Sequence, residues 1–197
     1  MPLKDVELLL TEPRGFCAGV DRAIDIVNRA VEMFDQTVYV KHEVVHNKHV
    51  IKDLVEKGVI FVESLDDVPS GSILIYSAHG VSKEVSNQAK SKRLKVFDAT
   101  CPLVTKVHFE IHKYASENID VVLIGHSGHP EVEGTMGQYI SDHGQIHLVE
   151  TLDDIDQLNI NSEKIAYVTQ TTLSVSDTQN IIDYLKTKFP NIIGPRK

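Results

Sequence analysis

Two cysteines stand in 197 residues, and both occupy the same kind of place. Cys17 lies in Pro13-Arg14-Gly15-Phe16-Cys17-Ala18-Gly19-Val20, and Cys101 in Asp98-Ala99-Thr100-Cys101-Pro102-Leu103-Val104. In each, a strand-forming run gives way to a helical pattern. That sets the thiol at a helix N-terminus, where the positive end of the helix dipole favours an anionic thiolate. Free cysteines are mostly small buried hydrophobes. Two in matching contexts, one structural repeat apart, point instead to a shared metal or redox role. His46, His79 and His129 form a second set, each in a polar loop directly after an apolar run. Imidazole N–H groups and loop amides suit a phosphate or diphosphate. One such histidine alone would be read as bonded to backbone; three at equivalent strand ends point to one pocket.

Glu131 follows His129 and Pro130 at a loop edge, where a carboxylate can relay protons; the alternative is a solvated acid or the start of a helix. Thr171 and Thr172 offer hydroxyls at the position His79 holds earlier, competing with a helix-capping role that Ser174 also fits. His42-Glu43-Val44-Val45-His46 matches the H-E-x-x-H pattern of zinc proteases. That chemistry needs a helix to bring both imidazoles to one metal. Here the motif follows the β-branched run Thr37-Val38-Tyr39-Val40, so strand and loop are expected. The pairs Asp66-Asp67 and Asp153-Asp154 read as helix-start acids rather than metal ligands.

The elements that must carry these residues repeat. Strands are expected at residues 6–10, 37–40, 59–62, 72–76 and 95–97, then at 120–124, 145–149 and 165–168. Helices are expected at 21–34, 47–57, 82–92, 101–114 and 175–188. Val62-Glu63-Ser64-Leu65-Asp66-Asp67-Val68 nearly recurs as Val149-Glu150-Thr151-Leu152-Asp153-Asp154-Ile155. Alternating strands and helices in two copies predict an α/β fold of two repeated units, 1–100 and 101–197, with mostly parallel sheets and helical cover. Ligands of such sheets bind beyond the carboxyl ends of the strands, where these loops fall. Laying Ile192-Ile193 over Val96-Phe97 places the next expected cysteine at or just past Lys197. The expectation is therefore a piece of a three-repeat protein.

Composition narrows the rest. Two cysteines give no disulfide framework, so a reducing cytoplasmic setting is expected. No apolar run approaches the length of a membrane span, so no membrane association is expected. A net charge of -8 argues against a nucleic-acid binder while leaving room for a small anionic substrate held by a local cluster of donors.

The cysteine motifs, together with His42-Glu43-Val44-Val45-His46-Asn47, Ser77-Ala78-His79-Gly80-Val81, Gly128-His129-Pro130-Glu131-Val132-Glu133-Gly134-Thr135 and Thr169-Gln170-Thr171-Thr172-Leu173-Ser174, closely resemble the 4-hydroxy-3-methylbut-2-enyl diphosphate reductase (LytB) family. The resemblance implies a three-unit trefoil around a 4Fe-4S cluster. It implies a two-electron reductive dehydroxylation of an allylic diphosphate to isopentenyl and dimethylallyl diphosphates, in non-mevalonate isoprenoid biosynthesis. Ferredoxin or flavodoxin is the electron donor it implies. Carried over by motif, Cys17 and Cys101 are two of three cluster ligands, and His46 and His79 contact the diphosphate. His129, Glu131 and Thr171 surround the substrate hydroxyl, Glu131 as the proton-relay acid. These 197 residues lack the third cysteine, so alone they are expected to be inactive. Alternatives are a homodimer sharing one cluster, or a fragment binding no ligand.

Overall fold

Ile73–Tyr76 and Asp120–Ile124 read as near-continuous apolar runs, the pattern of parallel strands covered on both faces. The computed structural model bears this out; it describes residues 7, 9–12, 14–160, 162 and 164–195. The first half runs α1 (Ala18–Met33), β1 (Val38–Lys41), α2 (Lys48–Glu56), β2 (Ile60–Val62), a 3-10 turn (Leu65–Asp67), β3 (Ile73–Tyr76), α3 (Lys83–Ser91) and β4 (Lys95–Asp98). The second runs α4 (Pro102–Ser116), β5 (Asp120–Ile124), α5 (Pro130–Met136), β6 (Ile146–Val149), α6 (Leu152–Gln157), β7 (Ile165–Thr169) and α7 (Val175–Lys188).

The two sheets have matching topologies, β2-β1-β3-β4 and β6-β5-β7, with every pairing parallel. Ile193 makes one parallel bridge to Ala166, so it stands beside β7 as β4 stands beside β3. Each sheet is the middle of three layers. On one face of the first, Val38, Val40, Ile73 and Ile75 meet Ala23, Val27 and Ala30 of α1 and Leu54 of α2; on the other, Leu74 and Tyr76 meet Leu65 and Ala89. In the second, Val121, Leu123, Ala166 and Val168 pack on Ile111 and Tyr114 of α4, while Val122, Ile124 and Tyr167 pack on Ile155 and Leu185.

Local chemistry sets the helix starts. The Asn47 carboxamide accepts from the amides of His49 and Val50, and Thr151 and Asp154 close a reciprocal capping box. The paired aspartates thus act at helix starts, Asp154 in α6 and Asp66-Asp67 in the 3-10 turn. Two expectations shift. Residues 6–10 lie partly outside the described residues, and Glu7, Leu9 and Leu10 within that run are not in a strand. The 125–131 loop ends sooner than its polarity implies, because Pro130 opens α5 and His129 caps it. As expected, the 42–47 segment after β1 is loop rather than helix, with His42 in the left-handed region at φ 61°, so the two histidines of H-E-x-x-H share no helix face. Among the described residues, no helix is long and apolar enough to cross a membrane.

Candidate functional site

Cys17 and Cys101 are the N-caps of α1 and α4, and both thiols are free. Arg22, early in α1, donates to the carbonyls of Thr100 (3.1 Å) and Asp98 (3.4 Å), stapling one cysteine turn to the other. The Asp98 carboxylate in turn accepts from the Thr100 amide at 2.9 Å. The Cys101 amide donates to the Ala78 carbonyl at 2.9 Å, which ties it to the loop bearing His79. Gly19 lies between the sulfurs. A Cβ built there would stand 2.7 Å from Cys101 Sγ and 3.8 Å from Cys17 Sγ. The two thiols therefore open on one volume beside a bare α-carbon, although 84 residues separate them in sequence.

The three histidines also converge, from three loops on two sheets. Ring centroids of His46 and His79 are 4.7 Å apart, those of His46 and His129 5.2 Å, and those of His79 and His129 5.3 Å. Their nearest ring nitrogens lie within 4.8 Å of one another. Hydrogen bonding sorts the tautomers. His129 Nδ1 accepts from the Glu131 amide at 3.1 Å, so in the neutral ring the proton sits on Nε2. That Nε2 donates to His46 Nε2 at 3.2 Å, which leaves the proton of a neutral His46 on Nδ1. His129 thus presents an N–H rather than a lone pair, suiting the cluster to anions better than to a metal ion. Burial pushes the His79 pKa down to about 3, helped by the neighbouring His46 and His129. Burial, then His46, lowers His129 as well.

Glu131 is 3% exposed in the first turn of α5. Its carboxylate accepts from the Thr171 amide at 2.6 Å and from the Thr171 hydroxyl at 2.9 Å. Burial raises its pKa, and those two bonds only partly oppose the rise. Thr171 reaches it from the loop after β7, while Ser174 takes the cap position of α7. The predicted residues thus come together as a pair of thiols, a trio of imidazoles and a buried acid clasped by a threonine. The acid is joined to the trio through the backbone bond to His129.

Sequence reasoning passed over Gly19, Arg22, the pairs His42–Glu63 and His126–Glu150, and His108. The two glutamates occupy equivalent places in the repeat, one residue past β2 and β6, and each meets a histidine at the start of the neighbouring loop, so for them the repeat itself was the signal. His108 left no such signal. It lies on α4 beneath Gly80, where a Cβ would come within 2.7 Å of its Cε1, and Gly80 itself holds φ 74°. His108 Nε2 is buried with no hydrogen-bond partner, and burial lowers its pKa to about 4. His79 and His108 both stay neutral in the fold but charge near 6.5 when unfolded. Stability is then complete above about pH 6.5 and falls as pH drops through the window to about 4 and then 3, by at most about 1.4 kcal/mol per pH unit per histidine. Urea midpoints at a series of pH values check this. Replacing His108 by Phe should flatten the decline; an unchanged slope would contradict it.

A family model described as LytB protein matches residues 8–197. The chain is 63% identical over 194 residues to the 4-hydroxy-3-methylbut-2-enyl diphosphate reductase of Acinetobacter baylyi, covering 98% of this chain and 61% of that relative. It is 58% identical over 193 residues to the reductase of Methylococcus capsulatus, covering 98% and 62%. Among solved structures, the E-1-hydroxy-2-methyl-but-2-enyl-4-diphosphate reductase of Plasmodium falciparum superposes with a TM-score of 0.88 at 49% identity, over 93% of this chain and 57% of that one. A second, (E)-4-hydroxy-3-methyl-but-2-enyl diphosphate reductase, gives 0.81 at 30% identity, over 95% and 66%. The chain thus spans 61–62% of the length of these two curated relatives.

Proposed function

Because the chain belongs to the LytB protein family, we propose that it forms the diphosphate-binding and proton-relay part of a 4-hydroxy-3-methylbut-2-enyl diphosphate reductase. The supporting observation is the convergence of His46, His79 and His129 beside a buried Glu131, beyond the carboxyl ends of two parallel sheets. The reaction is a reductive dehydroxylation. Two electrons and two protons enter, the allylic C–O bond breaks, water leaves, and a C–H bond forms to give isopentenyl or dimethylallyl diphosphate.

The family implies a 4Fe-4S cluster, and the thiols fit it in part. Both are free, both sit at helix N-termini, and the volume they share is kept open by Gly19. Cys17 and Cys101 would hold two of the cluster's ligand positions. When bound, the cluster supplies the two electrons one at a time, passed on from a ferredoxin- or flavodoxin-type carrier, and a Lewis-acidic iron.

The residues of this chain do the remainder. His46, exposed, and His79, buried, hold the diphosphate with imidazole donors through charge-assisted hydrogen bonds. His129 and Thr171 face the substrate hydroxyl. Glu131, kept protonated to higher pH than an ordinary carboxylic acid, gives its proton to the departing oxygen. Thr171 holds the carboxyl in one orientation throughout, by its amide and its hydroxyl.

A diphosphate held by His79 favours its imidazolium form and so raises a pKa that burial had lowered. Binding should therefore take up protons and tighten as pH falls. Calorimetry of inorganic diphosphate on the full-length protein, in buffers of differing ionisation heat, tests this. Net proton uptake, with binding lost in a His46→Ala, His79→Ala double variant, is the expected result. Binding that strengthens with rising pH, or survives loss of both histidines, would sink the reading.

A further inference from the structure

The two loops that bring His46 and His129 together are braced in the same way. At the end of β1, His42 Nδ1 meets the Glu63 carboxylate at 2.6 Å, and Glu63 follows β2. At the end of β5, His126 Nδ1 meets the Glu150 carboxylate at 2.8 Å, and Glu150 follows β6. By the sheet register the two glutamates hold the same place, while His126 stands one residue further along its loop than His42, whose own counterpart is Gly125. Each histidine opens a loop, and a few residues later each loop delivers one member of the His46–His129 contact at 3.2 Å.

The bracing extends past these histidine–carboxylate hydrogen bonds. His42 Nδ1–H donates to Glu63, which leaves Nε2 free to accept from Lys41 Nζ at 2.7 Å. Lys41 is 6% exposed and also donates to the Glu63 carbonyl at 2.8 Å. His42 holds φ 61°, a conformation a non-glycine residue keeps only when its surroundings hold it there. In the second loop, Glu150 accepts from the Ser127 amide at 3.2 Å as well as from the His126 ring, and the His126 amide donates to Gln170 Oε1 at 3.0 Å. Each carboxylate therefore pins the direction in which its loop leaves the sheet.

We propose that Glu63 and Glu150 are twin positioning residues, which through His42 and His126 set the separation of the His46 and His129 imidazoles and so the spacing of the anion donors. The inference deepens the diphosphate reading and rests on it for its ligand. Neither carboxylate touches the imidazole trio. Their side chains are 77% and 40% exposed, so each pair adds little to stability. What they supply is geometry, to which a binding site for a small rigid anion is sensitive.

The test uses the full-length protein in Glu63→Ala, Glu150→Ala and Glu63→Gln forms, with two readouts. Long-range 1H–15N spectra of the imidazoles, recorded without ligand, should show His46 and His129 shifted in each alanine variant as their contact opens. Affinity for inorganic diphosphate should weaken about tenfold in each, while kcat of the holoenzyme stays within about twofold and KM rises. Glu63→Gln, whose amide oxygen still accepts from His42 Nδ1–H, should restore both readouts most of the way. A purely structural role would lower the melting temperature without separating KM from kcat. Unshifted His46 and His129 signals in both alanine variants would overturn the proposal. So would Glu63→Gln behaving like Glu63→Ala. Should the wild-type protein fail to bind diphosphate, the functional reading falls, while the ligand-free spectra still decide the positioning role. If Glu63→Ala does not fold, Glu150→Ala and Glu63→Gln carry the decision.

Discussion

Replacing Gly19 by alanine is expected to leave the full-length protein folded and to strip it of iron. Gly19 lies in the first turn of α1, where alanine is the better helix former by about 1 kcal/mol at most. Folding therefore has no reason to suffer. The new methyl, however, would stand 2.7 Å from Cys101 Sγ, well inside the contact distance of carbon and sulfur. A cysteine side chain has a single rotor, so the cheap response is for the Cys101 sulfur to swing away. That response spares the fold and destroys the convergence of the two thiols. Iron per chain should drop on the order of tenfold or more after anaerobic reconstitution, with an unchanged or slightly raised melting temperature. Wild-type iron content and absorption in Gly19→Ala would show that the two thiols do not share a metal centre.

Glu131→Gln should remove most of the turnover and leave substrate binding nearly intact. The amide fits the site because Thr171 can adjust. Its backbone N–H keeps an oxygen acceptor, and its hydroxyl rotates to accept from the new NH2 group, so no buried polar atom is orphaned. What is lost is the exchangeable acid proton, worth about 10²- to 10⁴-fold in rate. KM should change little. A kcat within a few-fold of wild type would exclude Glu131 as the acid. Stability supplies an independent sign. Burial raises the Glu131 pKa above its ordinary 4.5, so the fold binds that proton more tightly than the unfolded chain does. The wild type therefore pays for a buried charge above the raised pKa and is relieved as pH falls through it toward 4.5. Glu131→Gln should be the more stable protein at neutral pH, with the advantage vanishing in acid.

Much of the architecture was readable because strand burial and helix amphipathicity have simple periods. The runs at Ile73–Tyr76 and Asp120–Ile124 announce parallel strands covered on both faces, and the recurrence of residues 62–68 at 149–155 announces matching topologies. Boundaries moved where capping chemistry overrode composition, as at Pro130, which turns a polar loop into α5. Of the site, the cysteines, His46, His79, His129, Glu131 and Thr171 were visible as residue types after strand ends. Their neighbours were not. Gly19 reads as one glycine among eleven until a sulfur 82 residues away is seen to lie against it. His108 reads as one more residue of a helix until its buried nitrogen is found without a partner.

By itself the sequence determined the α/β class, the two-fold repeat, the family and the chemistry available, since these follow from local periodicity, motif and side-chain type. Only the tertiary structure decided which groups share a volume. It closed 84 residues of chain to bring Cys101 to Cys17 and 83 to bring His129 to His46. Distances of that kind depend on how two sheets dock and which loops their hydrogen bonds pin, and no local pattern of residues encodes them.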